Sequence, residues 1–385
     1  MTRFSGAMLA VGMALSACGG SAAAPSSAGP ASAKPAASGA SSASAKPAAS
    51  GASSASAKPA ASAAAKPSGN LPAVRIAQSV PTLSFAPLTV ARDLGYFAKQ
   101  GVKLEFTQLE SGTTAQQALI GGSVDFVDSA STEVVAAEAK GAPVQAVEGT
   151  MKMTLEVCAN KKWMDGKGVT PSSPLAQRMA AFKGATLGIT GPGAVSDRAM
   201  RWLLQKYGKL NPDTDTTIVT TGSSGLITGL EQGRLQGFIQ SPPNCEVAAA
   251  TTGAAEVLVK PGDVPEFGNY IHEVLYTTST WASGHKDLAG KAATALAMGN
   301  NYLLQHPQEG TAVVQKAQSK VPPNIVQNAM KDTILPQIPK DGKMDENMWK
   351  ATNTVLLESG MIKQALDVKE GKVWTNAYIG DAQVP

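Results

Sequence analysis

Small polar residues stand where five short β-rich runs of this sequence end, and several of them come directly before a helical run. In an α/β sheet the carboxyl ends of parallel strands meet at one edge, where ligands bind. Hydroxyl groups, a side-chain amide and free backbone N–H groups at helix starts can hydrogen-bond a small polar molecule there. The predicted ligand-binding residues are Ser79, Thr82, Ser111, Gly112, Thr113, Ser129, Ser131, Thr190, Gly193, Ser196, Gln240 and Ser241.

Two aspects of this predicted site stay open at the level of sequence. Each Ser or Thr could be an ordinary helix N-cap, the commonest role of these residue types before a helix, although the convergence of five loops favours a ligand site. Across these loops the only charged side chain is Glu110. An anion would therefore depend on hydroxyls and helix N-termini, helped by Arg198 or Arg201, and a neutral or zwitterionic heterocycle fits at least as well.

Signals for catalysis, metal binding and cofactors are weak. His272, His285 and His306 have no metal-like spacing with one another or with the cysteines. The segment 191–196 begins like a dinucleotide-binding loop but has Ser196 where the third glycine belongs, and the sequence has no phosphate-binding or nucleophile-elbow motif. We therefore expect no catalytic residue, no metal and no cofactor.

The elements that position these loops are predicted from alternating β-rich and helical runs over residues 74–278, followed by helices almost to the end. Such alternation is typical of an α/β fold with mainly parallel sheets covered on both faces. The body, residues 71–385, is too long for one comfortable core and indicates two lobes. We expect lobe I to hold 71–160 plus 271–385 and lobe II 161–270, with two hinge crossings near 160–182 and 261–270.

Two cysteines remain in this body, Cys158 and Cys245. They are too few for a disulfide scaffold, and because they are far apart in the chain the sequence leaves open whether they pair.

The N-terminal segment predicts export. Arg3 precedes a short apolar run that ends in Leu15-Ser16-Ala17-Cys18, the layout of a secretory signal. This ending resembles the lipobox of bacterial lipoproteins, which implies a signal peptide at 1–17 and lipidation of Cys18; an ordinary signal peptide with an incidental cysteine is the alternative. Residues 18–70 would then be the lipidated cysteine and a disordered tether, because the segment is almost wholly Ala, Ser, Gly, Pro and Lys with a twelve-residue repeat.

The positive charge of the chain belongs to this N-terminal part. Five of the 33 basic residues and none of the 29 acidic residues lie in 1–70, so the body carries 28 basic against 29 acidic residues. A nearly neutral body gives no electrostatic support to nucleic-acid binding, and we expect no nucleic-acid partner.

Seven segments of the body carry a family resemblance. They are 91–97 (ARDLGYF), 100–104 (QGVKL), 118–126 (ALIGGSVDF), 140–144 (KGAPV), 182–188 (FKGATLG), 229–237 (GLEQGRLQG) and 301–308 (NYLLQHPQ). In this order and spacing they resemble periplasmic binding proteins of the sulfonate, taurine, nitrate and thiamine-precursor type. The resemblance covers nearly all of residues 74–310.

The resemblance implies a type II periplasmic-binding-protein fold, two lobes that close on a ligand like a Venus flytrap. It also implies a monomeric receptor that captures a small polar molecule, such as a sulfonate, nitrate or a pyrimidine, and delivers it to the permease subunits of an ABC importer. The expected location is periplasmic or at the cell surface, with the lipid anchor as its only attachment to the membrane.

Two other functions stay open. A receptor of a tripartite or sensory system uses a similar cleft, and some enzymes of this fold, such as pyrimidine synthases, carry out chemistry in it. The sequence lacks the clustered cysteines of those synthases. The segment 240–243 (QSPP) also departs from many relatives, which have Trp or Glu before a proline, so sulfonate or taurine specificity does not carry over directly.

Overall fold

The computed structural model describes residues 71–385; the predicted signal peptide, Cys18 and the tether lie outside the described residues. Within the described part the chain forms ten strands. They are β1 Ala73–Gln78, β2 Lys103–Gln108, β3 Phe126–Ala130, β4 Val144–Lys152, β5 Glu156–Asn160, β6 Thr186–Ile189, β7 Thr217–Thr220, β8 Gly237–Gln240, β9 Ala255–Val259 and β10 Ile271–Thr278.

Helices connect these strands and complete the C-terminal part. The α-helices are α1 Ala86–Asp93, α2 Tyr96–Lys99, α3 Gly112–Ile120, α4 Ser131–Glu138, α5 Lys161–Lys167, α6 Leu175–Ala180, α7 Val195–Lys206, α8 Gly222–Glu231, α9 Asn244–Thr252, α10 Ser279–Gly284, α11 Lys286–Gln305, α12 Pro307–Ala317, α13 Pro323–Ala329 and α14 Glu346–Glu358. Short 3-10 turns lie at Leu83–Phe85, Pro261–Asp263, Pro265–Phe267, Leu335–Gln337 and Lys340–Gly342, and a π-turn at Met330–Ile334. No helix among residues 71–385 has the length and apolar character that a bilayer crossing requires.

The strands form two five-stranded sheets with the same plan. The first has the order β2-β1-β3-β10-β4 and the second β7-β6-β8-β5-β9. In the first sheet β10 runs antiparallel to both neighbours, and in the second β5 does the same, while the other pairings are parallel. The prediction of a two-lobe α/β fold of the periplasmic-binding-protein type is confirmed.

The antiparallel strand of each sheet is the one that the chain forms directly after it passes from the other sheet. The first passage lies between β4 and β5, at residues 153–155, and the second between β9 and β10. The predicted first crossing near 160–182 is therefore wrong, because no turn residue separates the two strand-forming runs on either side of Met153. A lobe boundary at residue 160 would leave β5 outside the sheet with which it pairs, and the division into lobes stays a prediction.

Packing in the first lobe depends on close approach of two helices. α11 is rich in alanine, a strong helix former, and its Ala292, Ala295 and Leu296 are fully buried beneath the sheet. A side chain at Gly299 would collide with the Pro87 carbonyl of α1, so only glycine allows the two helices to approach this closely. This helix pair supports the start of α1 and the loop before it, at the edge where β1 ends.

A disulfide fixes β5 to α9. Cys158, in the middle of β5, bonds to Cys245 in the first turn of α9, and both are buried among Leu226, Leu230 and Phe238. The bond answers the question that the sequence left open. It joins the antiparallel strand of the second sheet to the helix that follows β8.

Candidate functional site

A small cavity lies between the facing edges of the two sheets. Its volume is about 10 Å³, which is roughly the space of one water molecule. Both sheets contribute to the lining, which consists of Ser79, Val80, Gly112, Ser129, Ala130, Glu133, Leu155, Thr190, Ala194, Val195, Gln240, Ser241, His272 and Glu273. The cleft is therefore closed around a largely polar centre, and a ligand larger than water requires it to open.

Half of the predicted site residues line this cavity. They are Ser79, Gly112, Ser129, Thr190, Gln240 and Ser241; Ser129 and Gln240 lie in the last two residues of a strand, Ser79, Thr190 and Ser241 directly follow a strand, and Gly112 begins α3. Their contact with a ligand stays a prediction. The amide of Gln240 donates to Ser223 Oγ (3.1 Å) and Ser241 Oγ lies 2.8 Å from Thr154 Oγ1, so neighbouring groups already orient both side chains.

Three further predicted residues surround the cavity without lining it. Ser111 caps α3 by accepting from the Thr114 N–H (3.2 Å), and its hydroxyl lies 3.2 Å from that of Thr113. Thr113 faces Gly191 and Gly193 of the opposite loop, where Gly193 has a positive φ of 73°. This group of residues forms part of the contact between the two lobes.

The remaining three predicted residues use their hydroxyl groups inside the protein. Ser131 donates to the Ile271 carbonyl (2.6 Å), and the Ser196 hydroxyl accepts from the Thr190 N–H (3.0 Å). Thr82 Oγ1 lies 2.8 Å from Ser84 Oγ. None of the three lines the cavity, and the first two are fully buried. The N-cap alternative does not describe them either, because their partners are not the N–H groups of a following helix.

Sequence reasoning missed the residues that begin an antiparallel strand. The predicted residues all lie at or after the carboxyl ends of strands, whereas β10 runs in the opposite direction and brings its first residues, His272 and Glu273, to the ligand edge. Leu155 reaches the cavity for the same reason, just before β5. A signal was present in the sequence: a histidine and a glutamate interrupt the otherwise apolar run 271–276.

Glu133, the third residue of α4, is the other missed group. Its side chain is fully buried against Gly112, since a Cβ at position 112 would lie 2.5 Å from Glu133 Oε1. Burial raises the pKa of Glu133, and the Arg198 guanidinium and the N–H groups of Glu133 and Val195 oppose that rise, leaving it at about 7. Near neutral pH the Glu133 carboxyl group is therefore present in both its charged and its neutral form. Its Oε1 has no hydrogen-bond partner.

Glu273 and His272 form an uncharged pair. Burial first, and then the nearby carboxyl groups of Asp128 and Glu133, hold the pKa of Glu273 well above its usual range. Burial lowers the pKa of His272 to about 3, so the imidazole is neutral, and the 3.4 Å separation between its Nε2 and Glu273 Oε1 is no ion pair. His272 Nε2 and Glu273 Oε2 both lack a hydrogen-bond partner. Two hydroxyls hold the pair in place: Thr154 Oγ1 lies 3.3 Å from His272 Nδ1, and Ser84 donates to Glu273 (3.1 Å).

Direct hydrogen bonds cross the closed cleft. The Leu83 N–H donates to the Pro242 carbonyl (2.8 Å), and the Ser224 N–H donates to the Glu110 carboxylate (3.0 Å). Deeper in the cleft, Arg198 of α7 donates to the Thr132 carbonyl of α4 (2.6 Å). Arg198 thus lies beside the site, where its Nη1 joins the two lobes and its Nε has no hydrogen-bond partner.

Other parts of the described chain offer weaker candidates. No group of three or more His, Cys, Asp or Glu among residues 71–385 is arranged to hold a metal ion. A larger groove of about 520 Å³ lies on the outer surface between α12 and α13, lined by Pro307, Gln308, Thr311, Ala312, Gln315, Gln327, Lys331 and Leu335. The groove lies away from the carboxyl ends of the strands. Its lining comes from helices and turns near the C-terminal part of the chain and includes no residue of either sheet.

The two sheets, the double crossing and the polar cavity between the sheet edges define a two-lobed protein of the type II periplasmic-binding-protein class. The chain belongs to the NMT1/THI5-like family, whose model matches residues 82–310. This membership confirms the family resemblance found in the sequence.

Individual relatives are distant. The chain is 25% identical over 214 residues to the bicarbonate transport ATP-binding protein CmpC of Synechocystis, and the match covers 54% of this chain but only 31% of that protein. The periplasmic nitrate-binding protein NrtA from Synechocystis has a TM-score of 0.63 at 16% identity, with 77% of this chain and 84% of that chain covered. The alkanesulfonate-binding protein SsuA from Xanthomonas axonopodis pv. citri, bound to MOPS, has a TM-score of 0.61 at 15% identity, with 78% and 96% covered.

Proposed function

We propose that this chain is the extracytoplasmic solute-binding component of an ABC importer and carries out no chemistry itself. The observation that carries the proposal is the cavity between the two sheets, where Ser79 and Ser129 of one sheet face Thr190 and Gln240 of the other. A ligand held by both sides stabilises the closed form, which is how hinge-closing receptors report binding. The transport-related names of the relatives agree with this function.

The proposed location is outside the cytoplasmic membrane, with the chain attached through lipidated Cys18 and the 18–70 tether. The disulfide between Cys158 and Cys245 supports an oxidising compartment, because structural disulfides are rare in the reducing cytosol. The proposed partners are a small polar solute and the permease subunits of the importer, and the receptor acts as a monomer.

A thermal-shift screen of the full chain tests the solute-binding function. The panel consists of sulfonates, nitrate, bicarbonate, pyrimidines, amino acids and amines. At a hundredfold excess over its Kd, a ligand stabilises the folded form by about 2.7 kcal/mol, which moves the melting temperature by a few degrees for a protein of this size. No shift with any class of solute would contradict the function.

The variant Gly112→Ala then tests whether the bound solute occupies this cavity. Its new methyl group would lie 2.5 Å from Glu133 Oε1 and 2.9 Å from Ser129 Oγ, so it displaces groups of the lining. We expect affinity to fall at least about tenfold, the effect of losing one hydrogen bond to a charged group. Gly166→Ala is the matched control, since nothing lies within 4 Å of a Cβ there. Equal affinity in both variants would place the solute elsewhere.

A further inference from the structure

The charges around the cavity differ from what an anion requires. Among the residues that line it, Glu133 and Glu273 are the ionisable acids, and none is Lys or Arg. Arg198, which lies outside the lining, is the nearby cation; its Nη1 donates to the Thr132 carbonyl, its charge offsets that of Glu133, and its Nε has no hydrogen-bond partner. An anion in this cavity would therefore lie next to two carboxyl groups, with the nearby cation outside the lining and already facing Glu133.

Three atoms of the lining residues lack partners in this structure. They are Glu133 Oε1, Glu273 Oε2 and His272 Nε2, and each belongs to a side chain that is at least 97% buried. Most buried polar atoms in proteins are hydrogen-bonded, because leaving a buried oxygen or nitrogen unpaired destabilises the fold. Three such atoms around one cavity indicate groups whose partner is a bound molecule.

The carboxyl oxygens accept hydrogen bonds when ionised, and a neutral imidazole nitrogen accepts one when its proton is on the other nitrogen. The matching ligand group has several N–H donors. A cationic group would also favour the ionised forms of both carboxyls, including that of Glu273, which burial keeps neutral in the unliganded protein. Glu133 and Glu273 approach the cavity from different elements, α4 and β10, so one nitrogen group between them can contact both.

Resting on the proposed solute-binding function, we propose that the solute carries an amino, aminopyrimidine-like or amidine-like nitrogen group that binds between Glu133 and Glu273. Its remaining polar atoms face the hydroxyls and the amide of the lining, Ser79, Ser129, Thr190 and Gln240. The ligand class thus differs from the nitrate and bicarbonate of the relatives' names. A zwitterionic sulfonate fits, whereas a simple one does not.

Matched pairs of small molecules test this assignment by titration calorimetry on the full chain. Each pair exchanges nitrogen donors for oxygen: taurine with isethionate, cytosine with uracil, and methylguanidine with methylurea. In at least one pair we expect the nitrogen-rich member to bind at least about tenfold more tightly, the effect of a hydrogen bond to a charged group.

Isosteric variants show whether the two carboxyl groups cause this preference. Glu273→Gln and Glu133→Gln are expected to reduce the preference within the pair at least about tenfold while keeping the melting temperature of the unliganded protein. Glu148→Gln is the matched control, because Glu148 is equally buried and acidic but does not line the cavity. This variant should keep the full preference for the nitrogen-rich member of the pair.

The opposite results separate the two proposals. Tighter binding of nitrate, bicarbonate or isethionate than of any nitrogen-rich probe would overturn the ligand assignment and leave the solute-binding function intact. An unchanged preference in Glu273→Gln and Glu133→Gln would also overturn the assignment. Absence of binding by every probe, anions included, would count against both proposals.

Discussion

At the scale of single residues, Thr150 shows how buried acids are accommodated beneath the site. Its hydroxyl lies 2.9 Å from Asp128 Oδ1 and 3.0 Å from Glu148 Oε2. A hydroxyl has only one proton to donate, so one carboxyl group must be protonated and donate to Thr150. Burial raises the pKa of Asp128 to about 7 and that of Glu148 well above its usual range, in agreement with a shared neutral acid.

These buried acids give folding stability a definite pH dependence. Asp128 has a pKa of about 7 when folded and an ordinary value of 3.8, so the folded state binds more protons between these values. Its contribution to stability is present below about pH 4 and is lost as pH rises towards 7, by up to about 4 kcal/mol. We expect Asp128→Asn to flatten the fall in unfolding free energy between pH 5 and pH 7, measured by urea denaturation.

The exposed carboxyl group of Asp165 provides the control for this measurement. Its side chain is 56% exposed in an ion pair with Lys161 on the surface of α5. Asp165→Asn should leave the pH profile as it is in the unchanged chain. Parallel profiles for Asp128→Asn and the unchanged chain would contradict a neutral acid at Asp128.

At the scale of elements, the disulfide connects the strand that follows the first crossing with the helix that follows β8. It closes a loop with a sequence separation of 87 residues, and disulfides typically stabilise proteins by about 2–4 kcal/mol. The double variant Cys158→Ala/Cys245→Ala should lose a free energy of unfolding in this range in urea denaturation. Solute affinity should change little, because neither cysteine lines the cavity.

A reducing agent tests the same prediction without a substitution. Reduction should lower the unfolding midpoint of the unchanged chain and leave that of the double variant where it is. An equal midpoint in all conditions would mean that the bond contributes nothing to stability.

Much of the fold could be predicted from the sequence because hydrophobic periodicity marks elements that have one buried face. Helix α7 and strand β6, for example, lie within the alternating helical and β-rich runs predicted over residues 74–278. Periodicity could not separate β4 from β5, because residues 144–159 form one long strand-like run without a turn signal. Sequence reasoning did not place His272 and Glu273 at the cavity for a related reason: the direction of β10 depends on pairing with β3 and β4, which are distant in sequence.

At the scale of the whole molecule, helix α14 packs against both α4 and α7. Arg198 of α7 joins α4 across the cleft through a buried hydrogen bond to the Thr132 carbonyl. Loss of this bond should favour the open form, because a hydrogen bond from a charged donor is worth about 1.5–3 kcal/mol. In Arg198→Gln we expect the backbone amides of residues 190–196 to exchange about 10- to 100-fold faster than in the unchanged chain. Hydrogen exchange followed by mass spectrometry measures this rate.

Arg201, one turn further along α7, is the matched control. It pairs with Asp197 and Asp213, which both belong to the segment between β6 and β7, so its contacts do not cross the cleft. Arg201→Gln should leave exchange in residues 190–196 unchanged. Equal acceleration in the two variants would mean that the effect comes from helix α7 itself and not from closure.

The most direct test of the account is a crystal structure of the protein with the probe that gives the largest thermal shift. The expected result is the solute between the two sheets, in contact with Ser129 and Thr190 and with a nitrogen group between Glu133 and Glu273. A solute bound instead in the groove between α12 and α13, with the cavity unchanged, would contradict the claim that this cleft is the binding site.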